Sequence, residues 1–90
     1  MNRKQLLQKC ESIIIEKLAE NEVVALHVET GVFAALNRVS MYILNYLEEP
    51  HTIFEIVAYI NDMLECESDI MDDVQSFVDD AVDIGFIEIV

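Results

Sequence analysis

Only three residues in this chain end a secondary-structure element at low cost: Gly31, Pro50 and Gly85. Glycine reaches positive φ without a Cβ clash, and proline lacks the N–H that continues a helix. Few stops leave long uninterrupted stretches, so the periodicity between them is informative. Residues 12–28 are rich in aliphatic and β-branched types. They comprise Ser12-Ile-Ile-Ile-Glu-Lys-Leu18 and Val23-Val-Ala-Leu-His-Val28, in which Val24, Leu26 and Val28 share one face of a strand. Glu29-Thr30-Gly31 closes a short hairpin with Gly31 at positive φ, and Val32-Phe33-Ala34-Ala35-Leu36 returns as a third strand. Its small Ala34 and Ala35 make a thin wall that another chain can approach closely.

The period becomes helical from Arg38. Val39, Ile43, Tyr46 and Leu47 fall on one face and Pro50 ends the segment, leaving Met41 and Leu44 off that stripe. Thr52-Ile-Phe-Glu55 is a capping box that opens a second helix, with Ile53, Val57, Ile60 and Leu64 inward. Ser68 or Asp69 caps a third helix, Gly85 stops it, and Phe86-Ile-Glu-Ile-Val90 is a closing strand. The expected fold is α+β and winged helix-turn-helix-like. Three N-terminal antiparallel strands precede three helices and a short C-terminal strand. At 90 residues the chain is a single domain, 1–90, in which residues 1–10 are free to be a flexible lead-in.

Hydrophobic residues make up 53% of this small chain, more than its core can hide, so an apolar patch for a partner is expected. Eighteen Asp and Glu against five Lys and Arg give a formal net charge of -13. Such a chain is repelled by nucleic acid and by anionic membranes, and it attracts a cationic peptide or protein face. No apolar run approaches the roughly 20 residues of a transmembrane helix, and the basic start lacks the apolar region of a signal peptide. Cys10 and Cys66, 56 positions apart, read as reduced thiols of a cytoplasmic protein.

The third helix carries the candidate site. Ile70, Val74, Phe77, Ala81 and Ile84 form its core stripe at 100° per residue. Met71, Val78 and Val82, with Gln75 between them, widen the apolar arc to one side, as the wall of a groove would. Asp72, Asp79, Asp80 and Asp83 lie opposite the stripe. Asp79 and Asp83 repel each other at i,i+4 near the negative end of the helix dipole. They serve either as a solvated face or as a docking rim for cations.

Nothing points to catalysis, a metal or a cofactor. His27 and His51 have no ligand-spaced companions and read as structural. There is no glycine-rich phosphate loop and no nucleophile elbow. Ser40 lies in Arg38-Val-Ser-Met41, which lacks the Asp-Ser-Leu of an acyl carrier protein.

The stretch Val24-Ala-Leu-His-Val-Glu-Thr-Gly-Val-Phe-Ala-Ala-Leu-Asn37 resembles the signature of the PqqD family. Ile43-Leu-Asn-Tyr-Leu47, the Thr52-x-x-Glu55-Ile56 helix start, and Asp73-Val74 to Gly85-Phe86-Ile87 keep that family's order over residues 23–89. The resemblance implies a recognition element for ribosomally made, post-translationally modified peptides. Such an element takes a precursor's leader peptide as an added strand beside the third strand, in a groove shared with the third helix. It then presents the peptide to a maturation enzyme.

The Leu36-Asn37-Arg38 junction is closer to the stand-alone leader-binding proteins of lasso-peptide operons, whose enzymes are a leader peptidase and a cyclase. The alternative is a peptide chaperone for a radical-SAM maturase. On this resemblance the binding residues are Val32, Phe33, Ala34, Ala35, Leu36, Met71, Val74, Gln75, Val78, Asp79 and Val82, with Asp72, Asp79 and Asp83 as the electrostatic rim. Two rivals share the topology. A winged-helix transcription factor needs a basic recognition helix, which this chain lacks. A regulatory subunit would dock on one protein through Met41 and Leu44 of the first helix.

Overall fold

In the computed structural model, which describes residues 4–64 and 70–90, the strands form two small sheets. Strands β2 (Ile13–Ala19), β3 (Glu22–His27) and β4 (Phe33–Leu36) make an antiparallel meander in the order β2-β3-β4. Strand β1 (Leu7–Lys9) pairs antiparallel with β5 (Ile87–Ile89), which joins the two ends of the chain. Helices α1 (Arg38–Tyr46), α2 (Ile53–Leu64) and α3 (Met71–Asp83) lie between β4 and β5 in sequence. This is the expected α+β, winged helix-turn-helix-like layout with one strand added at its start.

That added strand gives residues 7–10 a place in the core. Leu7 is fully buried and Cys10 nearly so. Leu7 exchanges backbone bonds with His51, while the Lys9 and Cys10 N–H groups donate to Leu47 and Phe86. Periodicity assigns this segment no role, because three residues are too few to display a period.

The hairpin and the caps form where the residue types require them. Gly31 has φ 77° and Gly85 φ 85°, in the left-handed region that glycine occupies without strain. Asn37 caps α1 by accepting from the Ser40 N–H at 2.8 Å. In the capping box of α2, Glu55 accepts from the Thr52 N–H at 2.9 Å and Thr52 accepts from the Glu55 N–H at 3.3 Å. The Thr52 N–H holds the Glu55 carboxyl below its usual range; burial opposes that and His51 adds to it. The Tyr46 ring stacks between His51 and Tyr59, at centroid distances of 3.9 and 4.1 Å. Burial, then Glu55 and Tyr59, raise its hydroxyl pKa. The caps expected at Ser68 or Asp69 lie outside the described residues.

The helices turn their core faces slightly differently from the sequence reading. In α1, Ser40, Ile43 and Leu44 are buried, so Leu44 belongs to the core rather than to an external face. In α2 the buried set is Ile53, Ile56 and Ile60. In α3 it is Val74, Val78 and Ala81, while Phe77 is half-buried and Ile84 is exposed. Phe86 and Ile87 complete this core from β5. Each large aliphatic or aromatic side chain withdrawn from water in this way contributes about 1.5–3 kcal/mol.

Candidate functional site

β4 is the edge strand, with β3 on one side and, among the described residues, no strand on the other. The Ala25↔Ala34 and Leu26↔Phe33 register fixes which of its groups are free. The His27 N–H donates to Val32 O at 2.9 Å, which marks that pair as a hydrogen-bonded one. Hydrogen-bonded pairs recur every second residue, at Ala25↔Ala34 and Val23↔Leu36. The backbone N–H and C=O groups of Phe33 and Ala35 therefore face the open edge. That is two donors and two acceptors waiting for a strand.

Side chains alternate along the same strand. Ala34 and Leu36 are half-buried and pack on the core, whereas Phe33 and Ala35 are exposed, Phe33 at 70%. The hairpin that delivers β4 is held by His27. Its Nδ1 accepts from the Glu29 and Thr30 N–H groups, each at 3.3 Å, and its Nε2 faces Cys10 Sγ at 3.8 Å. An Nδ1 that accepts leaves the proton on Nε2, so the imidazole serves the turn and the core, as the sequence reading assigned it.

Beyond Leu36 a cavity of about 400 Å³ opens between the start of α1 and α3, lined by Asn37, Val39, Ser40, Asp73, Ser76, Phe77 and Asp80. A second cavity of about 750 Å³ sits toward the C-terminal end of α3, where Val82 meets Cys10, Ser12, His27 and Glu29. The two cavities lie on opposite flanks of α3. At 100° per residue, Asp73, Phe77 and Asp80 cluster on one side of the Val74–Val78–Ala81 core face and Met71 and Val82 on the other.

The expected groove residues are divided between the core and the two flanks of α3. Val74 and Val78 are fully buried and present no surface to a peptide. Met71, Gln75 and Val82 lie on the other flank, where Val82 shares a cavity with His27 and Glu29 of the hairpin that precedes β4. Asp72, Asp79 and Asp83 point to solvent, and the Asp79 carboxylate accepts from Gln75 Nε2 at 2.9 Å. Asp73, Ser76, Phe77 and Asp80 share a cavity with Asn37, Val39 and Ser40 at the start of α1, just after β4, and none of the four is among the expected peptide-binding residues. Val32 to Leu36 stay at the edge as expected, with Val32 and Phe33 exposed and Ala34 and Leu36 half-turned to the core.

An exposed strand edge beside a partly apolar helix flank, on a winged helix-turn-helix-like scaffold with an acidic surface, leaves room for a further strand at β4. The model of the family described as coenzyme PQQ synthesis protein D (PqqD) matches residues 22–87, and the chain belongs to that family. Among solved structures it is similar to TbiB1 in complex with the TbiA(beta) leader peptide. The two share 26% identity over 90% of this chain and 94% of that one, with a TM-score of 0.72. A lasso peptide synthetase B1 complexed with the leader peptide shares the fold, with 18% identity over 91% and 96% of the two chains and a TM-score of 0.71. No curated protein sequence matches the chain.

Proposed function

We propose that this chain is a non-catalytic adaptor of lasso-peptide biosynthesis. It holds the leader of a ribosomally made precursor peptide as a strand added to β4 and delivers the precursor to the enzymes that mature it. The observation that carries the reading is the free edge at Phe33 and Ala35, next to the Phe77 flank of α3. Strand addition there gives affinity through main-chain bonds, and the α3 flank selects among side chains. The likeness to leader-bound structures over nearly the whole chain favours the lasso type. The family's own description favours the alternative, a peptide chaperone for a radical-SAM maturase. The two differ in the neighbouring enzyme and not in the groove.

Delivery needs a second surface. Ile14, Leu26 and Phe33 stand in register as one row across the outer face of the β2-β3-β4 sheet. Ile14 is 42% exposed and Phe33 70%, on the face turned away from the core. The row continues the edge that the leader would occupy, and Glu16 shares the same face. A leader peptidase or cyclase with a basic-rimmed apolar surface fits it.

A titration followed by NMR tests the capture step, using the synthetic N-terminal half of any precursor-like peptide found encoded beside this gene. Amides of Phe33 to Leu36 and of α3 between Asp73 and Asp80 should shift most. Shifts confined to Met71, Gln75 and Val82, with β4 silent, would sink the model. A dissociation constant near micromolar, about -8 kcal/mol, is expected.

A further inference from the structure

The cavity at the end of β4 has a composition that strand addition alone does not require. Its floor is apolar, made by Val39 and the half-buried Phe77 ring. Asp73 and Asp80 stand at its two ends, seven positions apart on one face of α3, with Ser76 between them. Neither carboxylate has an ion-pair partner among the described residues. The neighbouring cation, Arg38, turns its guanidinium over the Tyr42 ring, 5.9 Å from the centroid. Ser40 is 92% buried, since it is 8% exposed, and it lines this cavity. Its hydroxyl is not a buried orphan, for among the described residues the unpartnered buried side-chain atom is Asn61 Oδ1, and the hydroxyl keeps contact with solvent through the cavity.

Resting on the leader-capture reading, we infer that this cavity is a specificity pocket for a lysine or arginine side chain of the bound peptide. The aliphatic stem lies along Val39 and Phe77, and the cationic head reaches the carboxylate at one end of the cavity, Asp73 or Asp80, within the field of the other. A long basic side chain is the one residue type with both an apolar stem and several donors at its tip. A planar guanidinium can also stack on the Phe77 ring. A wholly apolar side chain would forgo the attraction of the two carboxylates, which disfavours it against a basic one. The position read by the pocket lies just beyond the segment paired with Phe33 and Ala35, because the cavity follows Leu36 in the chain.

A random-peptide library displayed on its own mRNA, selected on the full-length chain, tests this whatever the sequence of the natural leader. Enriched peptides should shift the β4 amides and share one Lys or Arg at a fixed position. Replacing that residue by norleucine, which keeps the stem and removes the charge, should weaken binding roughly tenfold. The Asp73→Asn, Asp80→Asn double variant should bind the norleucine and basic peptides equally, its fold checked by circular dichroism. Peptides that add to β4 without a fixed basic position would overturn the pocket and leave leader capture standing. So would undiminished preference for the basic peptide in the double variant. A library that yields no peptide shifting β4 overturns both.

Discussion

Phe77 and Val78 are neighbours in the chain with opposite duties. Val78 is fully buried, and a carboxylate in its place would be an unpaired charge in the core. Val78→Asp should abolish cooperative urea unfolding. Phe77, half-buried at the cavity floor, should lose less than the about 3–5 kcal/mol of a fully buried phenylalanine on Phe77→Ala, and keep a sharp transition. A cooperative Val78→Asp protein would return that residue to the surface.

Glu55 acts at the same scale through its charge. Its carboxyl is held below the ordinary value of 4.5 by the Thr52 N–H, so its contribution is complete above that pH and is lost as pH falls through the depressed value. Thermal melts of wild type and Glu55→Gln should differ near pH 7 and converge in acid. A gap that widens on acidification would reverse the assignment.

At the scale of elements, β4 matters through its unpaired backbone. Alternation gives Ala34 its ladder bonds to β3 and leaves the Ala35 N–H on the open side. Proline tolerates an edge position whose N–H faces outward. Ala35→Pro should therefore melt close to wild type yet lose most of its affinity for the leader, because one donor of the added strand's ladder is gone. Ala34→Pro removes a bond to β3 and should lower the melting temperature clearly. Calorimetry of both variants, with and without peptide, separates these effects. Equal damage from the two would place the ladder in the other phase. The small β1–β5 sheet matters differently: it ties Leu7 and Phe86 into one core and so couples the start of the chain to the element that follows α3.

The whole molecule carries a formal net charge of -13, and that field acts on stability and on capture in opposite senses. Self-repulsion weakens the compact state, so raising salt from low ionic strength should raise the melting temperature. The same screening, with a Debye length of about 10 Å at 0.1 M, should slow association of a basic leader. Stopped-flow rates and thermal melts over one salt series test both signs. Association indifferent to salt would reduce the acidic surface to a solubility device. No helix among the described residues is long and apolar enough to cross a membrane.

Local signals were enough to write down much of this architecture from the sequence. Gly31 and Gly85 need positive φ, Thr52 and Glu55 satisfy each other's backbone, and the β2-β3-β4 meander follows from alternation around a tight turn. Each of these depends on residues within a few positions of one another. The family signature added the proposed role of β4, because the motif spans that hairpin.

Packing decided the remainder. β1 is three residues long and exists because β5, the α1–α2 connection and Phe86 offer it partners far away in sequence. On α3, a helical wheel displays a core face with a flank on either side, and nothing in the periodicity says which flank looks toward β4. The more apolar one meets the Cys10–His27 end of the core at Val82. The flank with Asp73, Phe77 and Asp80 meets the chain where it leaves the strand. That choice is set by how α3 crosses the sheet, which depends on contacts among elements far apart in the chain.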